Sequence, residues 1–212
     1  MRKHGSESRT GSSHLNPKTE SLPRFLTSAA KLSQCPPEIA REIAFIGRSN
    51  VGKSSLLGAL IQKPDLVRSS RTPGRTQLIN YFETKENDIY VDLPGYGFAE
   101  MPGKVKVQLD EMIQSYLQYR NQCALVLLLL DGRRDEPSPL DIAHFEFARQ
   151  HGKRVLGVVT KVDRVGKAQR KPLYKKLATA LGILPEDMLA VSSNEGDGVV
   201  ELKKRLFVES KA

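Results

Sequence analysis

The most informative chemistry in this sequence lies in a short glycine-containing segment with the G-x-x-x-x-G-K-S spacing of a phosphate-binding loop. The segment consists of Gly47, Arg48, Ser49, Asn50, Val51, Gly52, Lys53 and Ser54. Gly47 and Gly52 allow a tight loop whose successive backbone N–H groups point at phosphate oxygens. Lys53 supplies a mobile cation for the β- and γ-phosphates, the Ser54 hydroxyl is a ligand for Mg²⁺, and Ser55 is a further donor. The segment therefore predicts binding of a nucleotide together with magnesium.

Two later motifs indicate which nucleotide is bound. A D-x-x-G motif, in which the aspartate reaches magnesium through a water and the glycine N–H senses the γ-phosphate, is formed by Asp92, Leu93, Pro94 and Gly95. A T-K-x-D motif is formed by Thr160, Lys161, Val162 and Asp163. The Asp163 carboxylate can accept both the ring N–H and the exocyclic amine of guanine, a donor pair that adenine lacks. Alone, Asp163 is better interpreted as a helix or turn cap, but the phosphate-binding loop favours guanine recognition.

Other polar residues carry weaker signals. His144 and His151 on a predicted helix, and His4 and His14 near the N-terminus, match no metal or catalytic-triad spacing, so we expect them at surface or edge positions. Asp131 follows an apolar run, and we expect it to cap the next turn.

The motifs must be positioned by alternating strands and helices, a pattern typical of a parallel sheet covered on both faces. The predicted strands are Glu42–Ile46, Leu78–Thr84, Asp88–Asp92, Ala124–Leu130, Val155–Thr160 and Met188–Val191. The second and third are too close in sequence for a parallel crossover and predict an antiparallel hairpin. Buried helix stripes are predicted at Leu109, Met112, Ile113 and Tyr116; Leu140, Ala143 and Phe147; Leu173, Leu177, Ala180 and Leu181; and Val199, Leu202 and Leu206. We expect an α/β three-layer sandwich with about six strands, one of them antiparallel.

The N-terminal part differs in composition. Residues 1–23 are rich in Ser, Arg, Gly and Thr and predict a flexible basic tail. An organelle transit peptide is the alternative, and Glu7 and Glu20 count against it. A helical turn is predicted within Phe25–Leu32, before a break at Pro36 and Pro37. Residues 24–212 are then one domain.

The overall composition limits the classes of binding partner that the protein could have. The 212 residues include 33 Lys and Arg against 24 Asp and Glu, a formal net charge of +9 that favours a polyanionic partner. The longest apolar run, Cys123–Leu130, is too short to span a membrane. Two cysteines far apart in sequence suggest neither a metal site nor a disulfide scaffold. We expect a cytoplasmic monomer without membrane association.

Three segments together resemble the EngB family, also called YihA or YsxC, of bacterial ribosome-assembly GTPases in the Era-like branch of the translation-factor-related P-loop GTPases. They are Thr72-Pro73-Gly74-Arg75-Thr76-Gln77-Leu78-Ile79-Asn80-Tyr81-Phe82, Asp92-Leu93-Pro94-Gly95-Tyr96-Gly97 and Thr160-Lys161-Val162-Asp163. The resemblance extends from about Phe25 to the C-terminus. It implies a P-loop GTPase fold, binding of GTP and GDP with Mg²⁺, and a role in large-subunit assembly, cell division and septation.

The resemblance also implies further site residues. The first switch would close over the nucleotide with Gly74, Arg75, Thr76, Gln77 and Leu78, and Thr76 would join Ser54 on magnesium. A Pro-Gly surface turn is the alternative from the residues alone. A loop whose backbone contacts the guanine oxygen would be formed by Val191, Ser192 and Ser193. Without the family pattern, Ser193 and Asn194 would simply cap the last helix.

The expected catalytic set is incomplete. It comprises Lys53, Thr76, Gly95 and Asn50, whereas the position where many GTPases place a water-orienting glutamine is Tyr96. We therefore expect slow intrinsic hydrolysis that a partner accelerates. Asn50 occupies the position that supplies an oxygen to K⁺ in several relatives, and mere tolerance of a tight loop explains it equally well.

Basic residues flank the expected nucleotide site. One cluster comprises Arg164, Lys167, Arg170, Lys171, Lys175 and Lys176, and a second comprises Arg68, Arg71 and Arg75. We expect them to bind ribosomal RNA of the large subunit or its precursor, and a solvated charged face is the plainer alternative. A non-hydrolysing, nucleotide-dependent module acting on the division machinery is the second functional hypothesis. A small-molecule kinase is disfavoured by the guanine motif.

Overall fold

The computed structural model describes residues 22–38, 40–69 and 78–209, and within them one sheet of seven strands. The strands are β1 (Arg24–Ala29), β2 (Glu42–Gly47), β3 (Ile79–Glu83), β4 (Ile89–Asp92), β5 (Cys123–Asp131), β6 (Arg154–Thr160) and β7 (Met188–Ala190). The α-helices are α1 (Lys53–Ile61), α2 (Pro64–Ser69), α3 (Gly103–Tyr119), α4 (Pro139–Gln150), α5 (Lys167–Leu181) and α6 (Val199–Glu209). Short 3₁₀ turns occupy Leu32–Gln34, Val162–Arg164 and Pro185–Asp187.

The strand order is β1-β3-β4-β2-β5-β6-β7. Strand β3 runs antiparallel to both of its neighbours, β1 and β4, whereas the pairs from β4 through β7 are parallel. The predicted hairpin is confirmed as β3 and β4, with Tyr81 opposite Val91. The predicted α/β sheet with one antiparallel strand is therefore confirmed.

The edge strand β1 corrects the predicted helical turn in Phe25–Leu32. Phe25 lies opposite Phe82 and Ala29 lies opposite Ile79, so this segment extends the sheet by one strand. Pairing with the free edge of β3 satisfies backbone N–H and C=O groups that a short isolated helix would leave exposed. That partner lies more than fifty residues away in sequence, and the local pattern does not reveal it.

Helices cover both faces of the sheet and create two apolar cores. One core joins the sheet to α3, α4 and α5 through residues such as Ile113, Phe145 and Leu177. The other joins it to α1 and α6 through residues such as Leu56 and Leu202. The central strand β5 is buried on both faces between β2 and β6, which explains its nearly continuous apolar sequence.

The predicted stripe on α4 is wrong by one position. Leu140 is 41% exposed and Ala143 is also exposed, whereas Asp141, His144 and Phe145 are buried. The helix turns a carboxylate and an imidazole inward because Asp141 accepts a hydrogen bond from Tyr96 there and the His144 ring packs against the Tyr96 ring, which apolar periodicity does not register. His144 is therefore not a surface residue, contrary to the sequence prediction.

On α5, Leu173, Leu177 and Leu181 are buried as predicted, and Ala178 rather than Ala180 completes the stripe. In the described part of the chain, no helix is long and apolar enough to cross a bilayer.

Four parallel strands end at the same edge of the sheet, and each is followed by polar residues. The phosphate-binding loop follows β2, D-x-x-G begins at the end of β4, Asp131 ends β5, and T-K-x-D begins at the end of β6. The carboxyl ends of parallel strands are where open α/β sheets bind ligands. The fold thus brings motifs separated by more than a hundred residues to one edge.

Candidate nucleotide-binding site

The loop between β2 and α1 needs its two glycines for different reasons. A Cβ on Gly47 would lie 2.9 Å from the carbonyl oxygen of Leu129, so this position is closed by packing against β5. Gly52 has open space around it but adopts φ +105°, which L-residues with side chains rarely adopt. Asn50 also has a positive φ of 62°. Helix α1 begins at Lys53, so its positive N-terminal end faces the loop.

The buried side chains of Lys53 and Ser54, at the start of α1, lie where a nucleotide phosphate and its Mg²⁺ ion would bind. Lys53 Nζ lies 2.7 Å from Asp92 Oδ1, and both side chains are almost entirely buried. The Ser54 hydroxyl is also buried and makes no hydrogen bond to any described residue. Because a buried hydroxyl without a partner is costly, a ligand oxygen or metal ion is its natural partner. The hydroxyl and the carboxylate fit Mg²⁺, which prefers oxygen ligands.

Other metal arrangements find no support within the described residues. That part of the chain contains no group of three or more His, Cys, Asp or Glu side chains that could hold a metal ion alone. A Mg²⁺ ion here would therefore take most of its ligands from phosphate oxygens and water, as this small ion usually does in nucleotide sites.

Two adjoining clefts open at this edge of the sheet. The first, of about 540 Å³, is lined by residues 48–55, Leu78, Asn80, Asp92, Leu93, Gly95, Phe98, Met101 and Lys161. The second, of about 390 Å³, is lined by Gly52, Ser55, Arg133, Thr160, Lys161, Asp163, Arg164, Ser193 and Asn194. They share Gly52, Ser55 and Lys161. The first cleft can hold a chain of phosphates while the second holds the base attached to it.

The T-K-x-D segment is bound directly to the phosphate-binding loop. Thr160 Oγ1 donates to the carbonyl oxygen of Val51 at 2.6 Å. Lys161 Nζ donates to the carbonyl oxygen of Asn50 and lies 2.9 Å from Asp131 Oδ2. The residues expected to recognise the base and those expected to bind phosphate therefore share one hydrogen-bonded framework.

Asp131 contributes more than the turn cap that the sequence predicts. It does accept the backbone N–H of Arg133 at 3.1 Å, which confirms the cap. It also accepts bonds from the Arg133 guanidinium and from Lys161. Burial alone would raise the pKa of Asp131, but the hydrogen bonds from these two cations outweigh it and hold the pKa well below its ordinary value. Asp131 is therefore a permanent anion that positions Lys161.

Asp163 is oriented by the serine loop and does not act as a cap. Its Oδ1 accepts the Ser192 hydroxyl at 2.8 Å, and its Oδ2 lies 3.2 Å from Arg164 Nε. The 3₁₀ turn around it has Lys161 at its N-cap and no side-chain cap bond. The carboxylate lines the second cleft, where its remaining acceptor capacity is available to donors on a base.

The loop after β7 holds Ser192 in the interior. Ser192 is fully buried, and its hydroxyl accepts the backbone N–H of Glu195 at 3.2 Å while donating to Asp163. Helix α6 begins only at Val199, so Ser193 and Asn194 are too distant to cap it. Both residues line the second cleft instead, and of the two the resemblance assigns Ser193 to the loop that contacts the base.

The D-x-x-G segment packs tightly on the phosphate-binding loop. The N–H of Ser49 donates to the carbonyl oxygen of Tyr96 at 2.8 Å. A Cβ on Gly95 would lie 3.2 Å from the Ser49 nitrogen, so only glycine allows this approach without displacement. The Tyr96 ring is buried and lines neither cleft, which agrees with the expectation that it does not replace a water-orienting glutamine.

Some of the predicted site residues have buried side chains, so only their backbones could contact a ligand. Others lie outside the residues that the structure describes. The side chains of Val51, Leu93, Pro94, Val162 and Val191 are buried. Four members of the expected first switch, Gly74, Arg75, Thr76 and Gln77, lie outside the described residues, as does Arg71. Their roles, and ligand binding by the other site residues, stay predictions.

Four cleft residues escaped the sequence analysis, namely Asn80, Phe98, Met101 and Arg133. Arg133 carried one usable signal, because it lies three residues after the end of a predicted strand. Asn80 lies in a segment that carries the family resemblance but has no predicted site role, and Phe98 and Met101 belong to no motif.

Comparison with known proteins agrees with this geometry. Residues 42–161 match the family model described as "50S ribosome-binding GTPase". The probable GTP-binding protein EngB of Geobacter sulfurreducens is 43% identical over 174 residues, which cover 82% of this chain and 84% of that protein. The corresponding protein of Syntrophus aciditrophicus is 44% identical over 174 residues, covering 82% and 88%.

A solved structure extends the likeness to the fold. The crystal structure of a probable GTP-binding protein engB superposes with a TM-score of 0.68 at 28% identity, and the match covers 79% of this chain and 97% of that one. The relatives, the domain match and the shared fold all agree with two clefts that are lined by the phosphate-binding loop and the T-K-x-D motif. The chain therefore belongs to the EngB family of GTP-binding P-loop GTPases.

Proposed function

We propose that this GTPase is a switch in assembly of the large ribosomal subunit, binding the subunit or its precursor in the GTP form and leaving after hydrolysis. The observation that carries the proposal is the charge of α5, which immediately follows the guanine motif. This helix contains five basic residues and no acidic one, namely Lys167, Arg170, Lys171, Lys175 and Lys176. The family description, which names the 50S subunit, supports the same partner.

The arrangement of these cations favours RNA over a merely solvated surface. Lys167, Lys171 and Lys175 are exposed and recur every four residues, so they form one row along the helix. Arg170 lies 3.7 Å from Asp197, and Lys176 lies 3.1 Å from Glu136, so these two are partly neutralised. A row of lysines is suited to phosphates, whose bound counterions are released on contact.

The test is cosedimentation with large ribosomal subunits in the presence of a non-hydrolysable GTP analogue or GDP. The variant Lys167→Gln/Lys171→Gln/Lys175→Gln should bind less tightly by about 10-fold or more and with a weaker salt dependence. Lys85→Gln/Lys104→Gln/Lys204→Gln is the matched control, because it removes the same charge from exposed sites elsewhere. Equal binding by both variants, or no preference for the GTP analogue, would contradict the proposal.

Magnesium belongs to the same proposal. Ser54 would hold the ion directly, Asp92 through a water, and Thr76 would join them when GTP is bound. The ion would offset negative charge on the phosphates. Lys53 and the Gly95 N–H would then face the γ-phosphate, where charge develops during transfer.

Slow intrinsic hydrolysis is part of the proposal. The buried Tyr96 ring supports it, since neither cleft receives a side chain from that position. Ribosomal subunits should therefore accelerate single-turnover hydrolysis. Full activity without subunits would contradict this part. Absence of any turnover, even with subunits, would favour the non-hydrolysing module that acts on the division machinery. The role in division and septation is proposed only as a consequence of the assembly role.

A K⁺ ion beside Asn50 is the remaining element of the proposal. Asn50 lines the phosphate cleft, but its φ of 62° is also a conformation that asparagine tolerates better than most residues. Faster hydrolysis in potassium than in sodium would support the ion. Equal hydrolysis rates in potassium and sodium would show that Asn50 is needed only for the conformation of the loop.

A further inference from the structure

A buried polar cluster lies directly behind the D-x-x-G segment. The Tyr96 hydroxyl donates to Asp141 Oδ1 at 2.7 Å. Asp141 Oδ2 accepts both the backbone N–H and the hydroxyl of Ser138, each at 2.7 Å, in the capping box of α4. The His144 ring packs against the Tyr96 ring with centroids 4.5 Å apart. Tyr96, Asp141 and His144 are each at most 5% exposed.

The cluster approaches α3 on its far side. His144 Nε2 lies 3.2 Å from Asp110 Oδ1 on α3, although the two atoms do not have hydrogen-bond geometry. Tyr96 is therefore held against α4 by a hydrogen bond to Asp141 and a ring contact with His144. Burial, and secondarily the Asp141 carboxylate, raise the pKa of Tyr96 well above its ordinary value, so the phenol stays a proton donor.

The backbone of Tyr96 points the other way, into the nucleotide site. Its carbonyl oxygen accepts the Ser49 N–H at 2.8 Å, and its N–H donates to the Gly47 carbonyl at 3.4 Å. These bonds form a parallel bridge between Tyr96 and Arg48. One residue thus joins the phosphate-binding loop to α4 and adjoins Gly95, whose N–H is expected to sense the γ-phosphate.

We propose that Tyr96 is a positioning residue for GTP hydrolysis, and that its bond to Asp141 holds the Gly95 peptide in register with the phosphate-binding loop. The inference rests on GTPase activity, which family membership supplies, and not on the ribosomal partner. Tyr96 occupies the position of the water-orienting glutamine of many GTPases, but its side chain points away from the nucleotide site and acts through the backbone of Gly95.

The test is the variant Tyr96→Phe, which keeps the ring and its contact with His144 but removes the hydroxyl. Single-turnover hydrolysis at saturating GTP should fall about 10-fold or more, because small misplacements of a positioned group have effects of this size. GDP affinity should stay within about 2-fold, since GDP has no γ-phosphate for Gly95 to contact. If Tyr96 had a purely structural role, the variant would lower both the hydrolysis rate and the GDP affinity, or neither of them.

Tyr116→Phe is the matched control. The Tyr116 hydroxyl is also buried and donates to a buried carboxylate, that of Glu42, at 2.7 Å, but it lies away from the nucleotide site. It should lose similar thermal stability while hydrolysing GTP at the wild-type rate. Equal loss of hydrolysis in both variants would overturn the proposal, as would wild-type hydrolysis by Tyr96→Phe.

A second pair of variants keeps the proposal testable if Tyr96→Phe folds poorly. Asp141→Asn retains an oxygen that can accept the Tyr96 hydroxyl, whereas Asp141→Ala removes it. Asp141→Asn also keeps an oxygen for the Ser138 N–H and Asp141→Ala does not, so the unfolding free energy of each variant is measured beside its hydrolysis rate. Asp141→Asn should retain most hydrolysis and Asp141→Ala should lose about 10-fold. The same rate in both would overturn the role assigned to this bond.

Discussion

The Asp163 carboxylate accepts the Ser192 hydroxyl at 2.8 Å, which joins the residue expected to recognise guanine to the loop after β7. One carboxylate oxygen is thereby oriented from the interior while the group lines the base cleft. The bond explains why two motifs about thirty residues apart act as one site.

Asp163→Asn should change the base preference from guanine toward xanthine, because the amide presents a donor to the guanine N–H groups but can pair with a xanthine carbonyl. GTP affinity should fall at least about 100-fold, since each hydrogen bond to a charged acceptor contributes about 1.5–3 kcal/mol. Titration with fluorescent GTP and XTP analogues measures both effects. Asp197→Asn changes an exposed carboxylate in the loop after β7 and is the control. Unchanged GTP affinity in Asp163→Asn would remove the guanine assignment.

Ser54→Ala should abolish the gain in GTP affinity that Mg²⁺ provides. Wild-type protein should bind GTP more weakly after chelation with EDTA, whereas the variant should bind equally with and without the ion. Thermal stability without nucleotide should not fall, because the removed hydroxyl has no hydrogen-bond partner among the described residues. A Mg²⁺ response of wild-type size in the variant would show that Ser54 is not a ligand.

Gly47→Ala should destabilise the fold by about 1–3 kcal/mol, because its Cβ would lie 2.9 Å from a backbone oxygen of β5 that cannot move alone. Gly103→Ala in the first turn of α3 is the control, since nothing lies within 4 Å of its Cβ. That change should be neutral or stabilise by up to about 1 kcal/mol. Urea unfolding measures both, and equal stability of the two variants would refute the packing explanation.

His144 should make the stability depend on pH. Burial lowers the pKa of His144 below its ordinary value of 6.5, an effect that the nearby Asp110 and Asp141 carboxylates only partly offset. Between the folded and unfolded pKa values the unfolded state binds more protons, so the unfolding free energy should fall as pH drops from about 7 through this window. His144→Phe keeps the ring contact with Tyr96 and should flatten that slope in urea titrations at several pH values. An identical slope in the variant would assign the dependence to other groups.

Much of this molecule can be predicted from local pattern. The phosphate-binding loop, D-x-x-G and T-K-x-D are contiguous segments whose chemistry depends on spacing within a few residues. The start of α1 at Lys53 and the β3–β4 hairpin follow from equally local signals. The nucleotide class and the α/β fold are therefore properties that the sequence determines by itself.

Tertiary structure alone decided the features that depend on distant partners. Strand β1 exists because the edge of β3 accepts it, although its residues predict a helical turn. His144 and Asp141 turn inward because Tyr96, more than forty residues earlier, meets them there. Burial of a polar group is favourable only when its partner is present, and apolar periodicity carries no record of that partner.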